Sequence, residues 1–192
     1  KGITRYQFEH LNYSTNFNGN RHILFANLSL RNWSIYSNSS ILNANSTINT
    51  SNFVRSFNRL IYNFKKNWIG TKISLEDNEQ TNSATQELTS LSQKFTSYEV
   101  FYGVGDSTNV FAEIGYKNRV NDSIRNNQLV KVNSSRTYYL KSQLIKNKQS
   151  SLSVYLNYRK LNNEDESIFD ENSLNSRIQY NQKLIKQVVN WN

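Results

Sequence analysis

The chain has 192 residues, a formal net charge of +9 and a mean hydropathy of −0.72, with no Cys, Pro or Met. The missing Cys excludes a disulfide framework and thiolate metal centres, and no apolar run of 18 or more residues exists to form a transmembrane helix. Aromatics at 13% set it apart from the aromatic-poor chains that stay disordered, and the excess of positive charge points to anionic partners.

In chain order, Tyr6, Phe8 and His10 alternate with Gln7, Glu9 and Leu11, the period-two pattern of a strand. Asn18-Gly19 is a strong hairpin signal; a turn centred there pairs His10 with Asn27 and His22 with Thr15. Leu24, Ala26, Leu28 and Leu30 then share one face of the next strand. The Ser/Asn-rich stretch from Ser37 to Asn52 reads as a loop, Phe53 to Phe64 as a strand, Lys65-Lys66-Asn67 as a short turn and Trp68 to Leu75 as the return. Glu76 to Ser92 is polar, with a weak helical tendency around Leu88 and Leu91.

The second half is more regular. Lys94 to Val104, Asn109 to Arg119, Leu129 to Ile145, Ser151 to Leu161 and Leu174 to Leu184 read as strands, and a further strand begins at Val188. Gly105-Asp106-Ser107 and Lys146 to Gln149 are short turns; Asn121 to Asn127 and the acidic stretch Asn162 to Ser173 are longer loops. Keeping the apolar faces together in the first of these hairpins pairs Tyr98 with Tyr116 and Glu99 with Gly115, leaving Glu113 a diagonal neighbour of Glu99. About ten long strands joined in sequence predict an all-β, up-and-down antiparallel meander that forms part of a transmembrane β-barrel. The absence of any Met and the strand-like final residues, Gln187 to Asn192, lead to the expectation that residues 1–192 are a segment of one larger barrel domain.

The alternation divides the strands into two faces. Val100, Tyr102, Val104, Val110, Ile114, Leu140, Leu152, Val154 and Leu156 are expected to face lipid. Glu99, Glu113, Lys117, Lys141, Gln143, Asn157, Arg159 and Arg177 are expected to face a polar lumen. Tyr98, Tyr116, Tyr138 and Tyr158 all lie away from the short turns, as an interfacial aromatic girdle would. The lysines Lys65, Lys66, Lys146 and Lys148 fall on the short-turn side, where anionic head groups would meet them.

The segments Tyr98-Glu-Val-Phe-Tyr-Gly-Val-Gly-Asp-Ser107, Val110-Phe-Ala-Glu-Ile-Gly-Tyr116 and Ser151-Leu-Ser-Val-Tyr-Leu-Asn-Tyr158, in an Asn-, Lys- and Ser-rich chain, resemble the large outer-membrane β-barrel proteins of Bacteroidota such as the flavobacteria. The resemblance implies an outer-membrane location and a role in transport, secretion or envelope assembly. The partners then expected are membrane lipid, lipopolysaccharide and other outer-membrane or periplasmic proteins, with no nucleic acid. The alternative reading is a soluble or cell-surface β-sheet adhesin or binding module, whose apolar faces pack on a second sheet.

Catalytic chemistry has little to stand on. His10 and His22 have no carboxylates at ligand spacing, Gly103-Val-Gly105 lacks the strand-turn-helix setting of a phosphate loop, and the acidic stretch Glu164 to Glu171 lacks the spacing of a calcium loop. No nucleophile, base and orienting group stand together, so no enzyme, cofactor or metal is expected.

Overall fold

The computed structural model describes residues 1–14, 17–46, 49–82, 89–106, 109–125, 128–147, 150–163 and 170–182. They form ten strands: β1 (Gly2–Ser14), β2 (Phe17–Leu30), β3 (Trp33–Ser46), β4 (Asn49–Phe64), β5 (Asn67–Asn82), β6 (Thr89–Gly105), β7 (Phe111–Arg125), β8 (Gln128–Lys146), β9 (Ser150–Asn163) and β10 (Glu171–Gln182). All pair antiparallel with their chain neighbours in one sheet of order β1 to β10, so the fold is the all-β meander that the alternation predicts. The sheet is not closed onto itself. Its strands run from 12 to 19 residues, against about 5–6 in ordinary globular sheets and about 9–11 for a strand crossing a bilayer.

Several local expectations are corrected. Asn18 and Gly19 are inside β2, paired with Asn12 and Leu11. His10 therefore lies opposite Asn20, and His22 opposite Phe8. Ser37 to Asn52 is strand rather than loop up to Ser46 and again from Asn49. Polar side chains satisfied across strands, such as Ser37 Oγ donating to Asn58 Oδ1 at 2.7 Å, allow a Ser/Asn-rich ladder that apolar periodicity does not reveal. Glu76 to Asn82 likewise continues β5, and Asn121 to Arg125 continues β7, so the expected alternation of short and long turns holds only in part. The β6–β7 hairpin pairs Gly105 with Phe111, and beyond that pair Asp106 N–H donates to Val110 O at 2.8 Å. Its register places Val100 opposite Tyr116, Glu99 opposite Lys117 and Tyr98 opposite Asn118, two residues from the predicted pairing but with the faces kept. Of the weak helical tendency around Leu88 and Leu91, Leu91 is instead in β6, paired with Gln80 and Arg125; Leu88, the stretch 164–169, Lys148 and the strand expected from Val188 lie outside the described residues.

The turns 31–32 and 65–66 each join strands across two residues. The first residue of each has a left-handed backbone, Arg31 at φ 49° and Lys65 at φ 56°, as primed hairpin turns demand. Gly or Asn would hold this geometry at lower steric cost. Lys65→Gly is accordingly expected to raise stability by about 0.5–1 kcal/mol, read as a higher urea midpoint with an unchanged slope.

Candidate functional site

Because side chains alternate and the register is continuous, the sheet has two chemically distinct faces. One is apolar. It carries Leu30, Trp33, Tyr62, Ile69, Tyr102, Ile114, Leu140 and Leu156 in one cross-strand row. The next row holds Leu28, Ile35, Leu60, Thr71, Val100, Tyr116, Tyr138, Tyr158 and Leu174. Most of the large hydrophobic side chains that are over a third exposed belong to this face, among them Ile69, Val100, Ile114, Tyr138, Leu156 and Ile178.

On this face Tyr98, Tyr116, Tyr138 and Tyr158 form a ladder over β6 to β9, with successive ring centroids 6.1, 5.1 and 6.4 Å apart. One position farther along the strands the face turns polar, with Asn118, Arg136, Lys160 and Asn172 paired in a row. The tyrosines mark that boundary. Toward the other end Trp33 and Tyr62 pack at 4.7 Å beside the turns at Arg31 and Lys65. On β3 and β4 the apolar band narrows, because Ser37, Ser39, Ser56 and Asn58 occupy the same face and hydrogen-bond one another.

The opposite face is concave and polar. The sheet curls around a basin of about 590 Å³ whose walls come from β2 to β7. Next to it, three aromatic rings lie flat on glycines of the neighbouring strand: Phe101 on Gly70, Trp68 on Gly103 and Tyr139 on Gly115. Each ring is directly opposite its glycine in the register. Phe101 and Trp68 are thereby buried to 3% and 7% exposure.

The rings carry a polar network. Trp68 Nε1–H donates to Glu113 Oε2 at 3.0 Å, and the Tyr139 hydroxyl reaches Glu99 Oε1 at 2.7 Å and Glu113 Oε1 at 3.3 Å. Lys72 Nζ donates to Glu99 Oε1, and its ammonium also stands 4.9 Å from the Phe101 ring centroid. Glu99 and Glu113 are not diagonal neighbours. Glu99 pairs with Lys117 and Glu113 with Gly103, four residues along β6, and Tyr139 joins the two carboxylates because Gly115 leaves its ring room to lie across the sheet. Every member has a partner, so the arrangement ties β5, β6, β7 and β8 together. Glu99→Ala would leave Lys72, which is opposite Arg59 on its other side, without its carboxylate partner. It is expected to lower unfolding stability by about 1–2 kcal/mol, discounted for the partial exposure of Lys72, and Glu99→Gln by less; chemical denaturation reads both.

All eight residues expected on the polar face share the concave side. Their roles divide. Glu99 and Glu113 are network members, Lys141 stands 5.6 Å from the Phe111 ring centroid, and Gln143 donates to the carbonyls of Ile145 and Leu152 across a bulge in β8. Asn157 donates to the Tyr155 hydroxyl while its own Oδ1 is buried without a partner among the described residues, and Arg177 donates to Gln179. Arg159 is exposed. Eight of the nine residues expected on the apolar face share the other side; Val110 precedes β7 and is exposed.

Sequence reasoning did not single out Lys72, Trp68, Phe101 or Tyr139. Their signal was present as glycines Gly70, Gly103 and Gly115 inside strands, each with an aromatic at strand distance, and it needs the register to be read. His22 Nδ1 bonds the Tyr6 hydroxyl at 2.7 Å and His10 Nδ1 bonds Asn20 Oδ1 at 2.9 Å. Among the described residues no three His, Asp or Glu side chains gather where a metal ion could sit. No family model matches the chain, and no curated protein matches it in sequence.

Proposed function

We propose that this chain is wall from an outer-membrane β-barrel, acting without catalysis in transport, secretion or envelope assembly. The observation that carries the reading is the exposed apolar face. Soluble monomers rarely leave a contiguous apolar surface of this extent open, whereas a barrel wall turns such a face to lipid and keeps its other face polar. The strand lengths, the tyrosine ladder at the edge of the band and the basic turns at Arg31, Lys65 and Lys66 support the same reading. Lipid acyl chains, with lipopolysaccharide in the outer leaflet, would then cover Val100, Tyr102, Ile114, Leu140 and Leu156. The function lies in the wall itself: an apolar exterior that anchors it and a polar interior against which a solute or a polypeptide moves. Alkaline carbonate washing of membranes from cells that express the protein should leave it in the pellet, and only detergent should release it. Release without detergent would overturn the proposal.

The hydrogen-bonded Ser37, Ser39, Ser56 and Asn58 favour a second reading, a cell-surface β-sheet binding module, because they put polar groups in the band. In that case a second sheet covers the apolar face, and the carbonate wash releases the protein.

A further inference from the structure

We infer that the basin on the concave face is a binding site for an anionic sugar chain. Four cationic side chains enter it from three strands: Arg21 from β2, Arg55 from β4, and Lys117 and Arg119 from β7, with Glu76 the carboxylate among them. Their charges are loosely held. Arg55 stands 3.9 Å from Glu76 and Arg21 3.6 Å from Glu9, all four side chains being substantially exposed. Lys117 is directly opposite Glu99 in the register, the natural cross-strand ion pair. Glu99 instead binds Lys72 and Tyr139 on its other side, so among the described residues Lys117 makes no ion pair and its ammonium is left to the basin.

The second half of the recognition chemistry is aromatic. Phe57 and Phe95 are half-buried in the basin wall, and the Arg119 guanidinium stands 5.0 Å from the Phe95 ring centroid. Arg119 spends its Nε–H on Asn121 Oδ1 at 3.0 Å, which fixes the fork while its terminal N–H groups remain for a carboxylate. Ser40, Ser74 and Ser97 line the floor with hydroxyls. Cations at several points for carboxylates, ring faces for pyranose faces and hydroxyls between them match an acidic oligosaccharide. A single small anion would use only one corner of a 590 Å³ space. The inference goes beyond the barrel reading and stands on the concave face alone, since either fate of the apolar face leaves this basin open.

The test is calorimetric titration of the full chain folded in a neutral detergent, with tetragalacturonate as the probe. Maltotetraose, sulfate and a four-residue oligothymidylate serve as comparisons. Tetragalacturonate is expected to bind, with affinity falling as salt is raised, while maltotetraose and sulfate at equal concentration do not. Arg119→Gln and Lys117→Gln should each weaken it by about tenfold. Arg177→Gln, the same charge change on the same face outside the basin, should leave it unchanged. Equal binding of maltotetraose, equal loss with Arg177→Gln, or tighter binding of the oligothymidylate would each overturn the proposal. So would no binding by a chain whose far-ultraviolet circular dichroism shows it folded. Should Arg119→Gln not fold, Lys117→Gln decides alone, because its side chain holds no ion pair among the described residues.

Discussion

Ile178→Arg is expected to cost about 2–4 kcal/mol of membrane-inserted stability, whereas Asn175→Arg on the same strand is tolerated. Ile178 sits in the apolar band of β10, 72% exposed, with Val154 opposite and Ser176 and Tyr180 flanking it on the same face. Asn175 is exposed on the other face. Neither side chain fills a core, so in water both substitutions should fall within about 0.5 kcal/mol of neutral. Only lipid against one face separates them, because an Arg in hydrocarbon loses its hydration. Urea-driven unfolding from phospholipid vesicles measures the difference. Equal tolerance of the two variants in vesicles would remove the membrane from the account of this face.

Gly103→Val carries the second large effect, a loss of about 1–3 kcal/mol. A Cβ at Gly103 would fall 2.1 Å from two atoms of the Trp68 ring, so the indole must lift off the sheet. Its N–H then leaves Glu113, and its edge contact with Phe111, 6.1 Å between centroids, is lost. The ring is pinned by burial on a strand backbone, so it cannot swing aside cheaply. Trp68→Phe in the Gly103→Val background separates steric conflict from the lost hydrogen bond. If the double variant recovers most of the stability, the clash dominates; if it recovers none, the Glu113 bond was the larger part. Guanidinium or urea melts monitored by far-ultraviolet circular dichroism read both.

Much of this arrangement was legible in the residues alone, and the reason is physical. A period of two assigns faces whatever the register, so Val100, Ile114 and Leu156 were separable from Glu99, Lys117 and Arg159 before any pairing was known. Even the two-residue error at the β6–β7 hairpin preserved the faces. Pairing is a different quantity. It depends on turn closure, and Gly105 pairs with Phe111 rather than with Asn109, where the return strand was expected to begin. Strands were missed where polar ladders do the pairing, as between Ser39 and Ser56, since hydrogen-bonded serines carry no hydrophobic period. The Glu99–Tyr139–Glu113 link was unreadable for the same reason: it spans three strands and depends on a glycine that gives an aromatic room to lie down.

The three rings laid over glycines also bear on how the sheet bends. Upright side chains would leave β5 to β8 free to flex about each ladder, but Trp68, Phe101 and Tyr139 each bridge a strand boundary like a splint glued across a joint. They sit on one side only, so they resist flattening of the curl while leaving the convex surface unobstructed. β5 is thereby braced on β6 and β7 on β8, the bonds of Trp68 to Glu113 and of Tyr139 to Glu99 link the two pairs, and the strands that carry Arg21 and Arg55 into the basin lie outside this bracing.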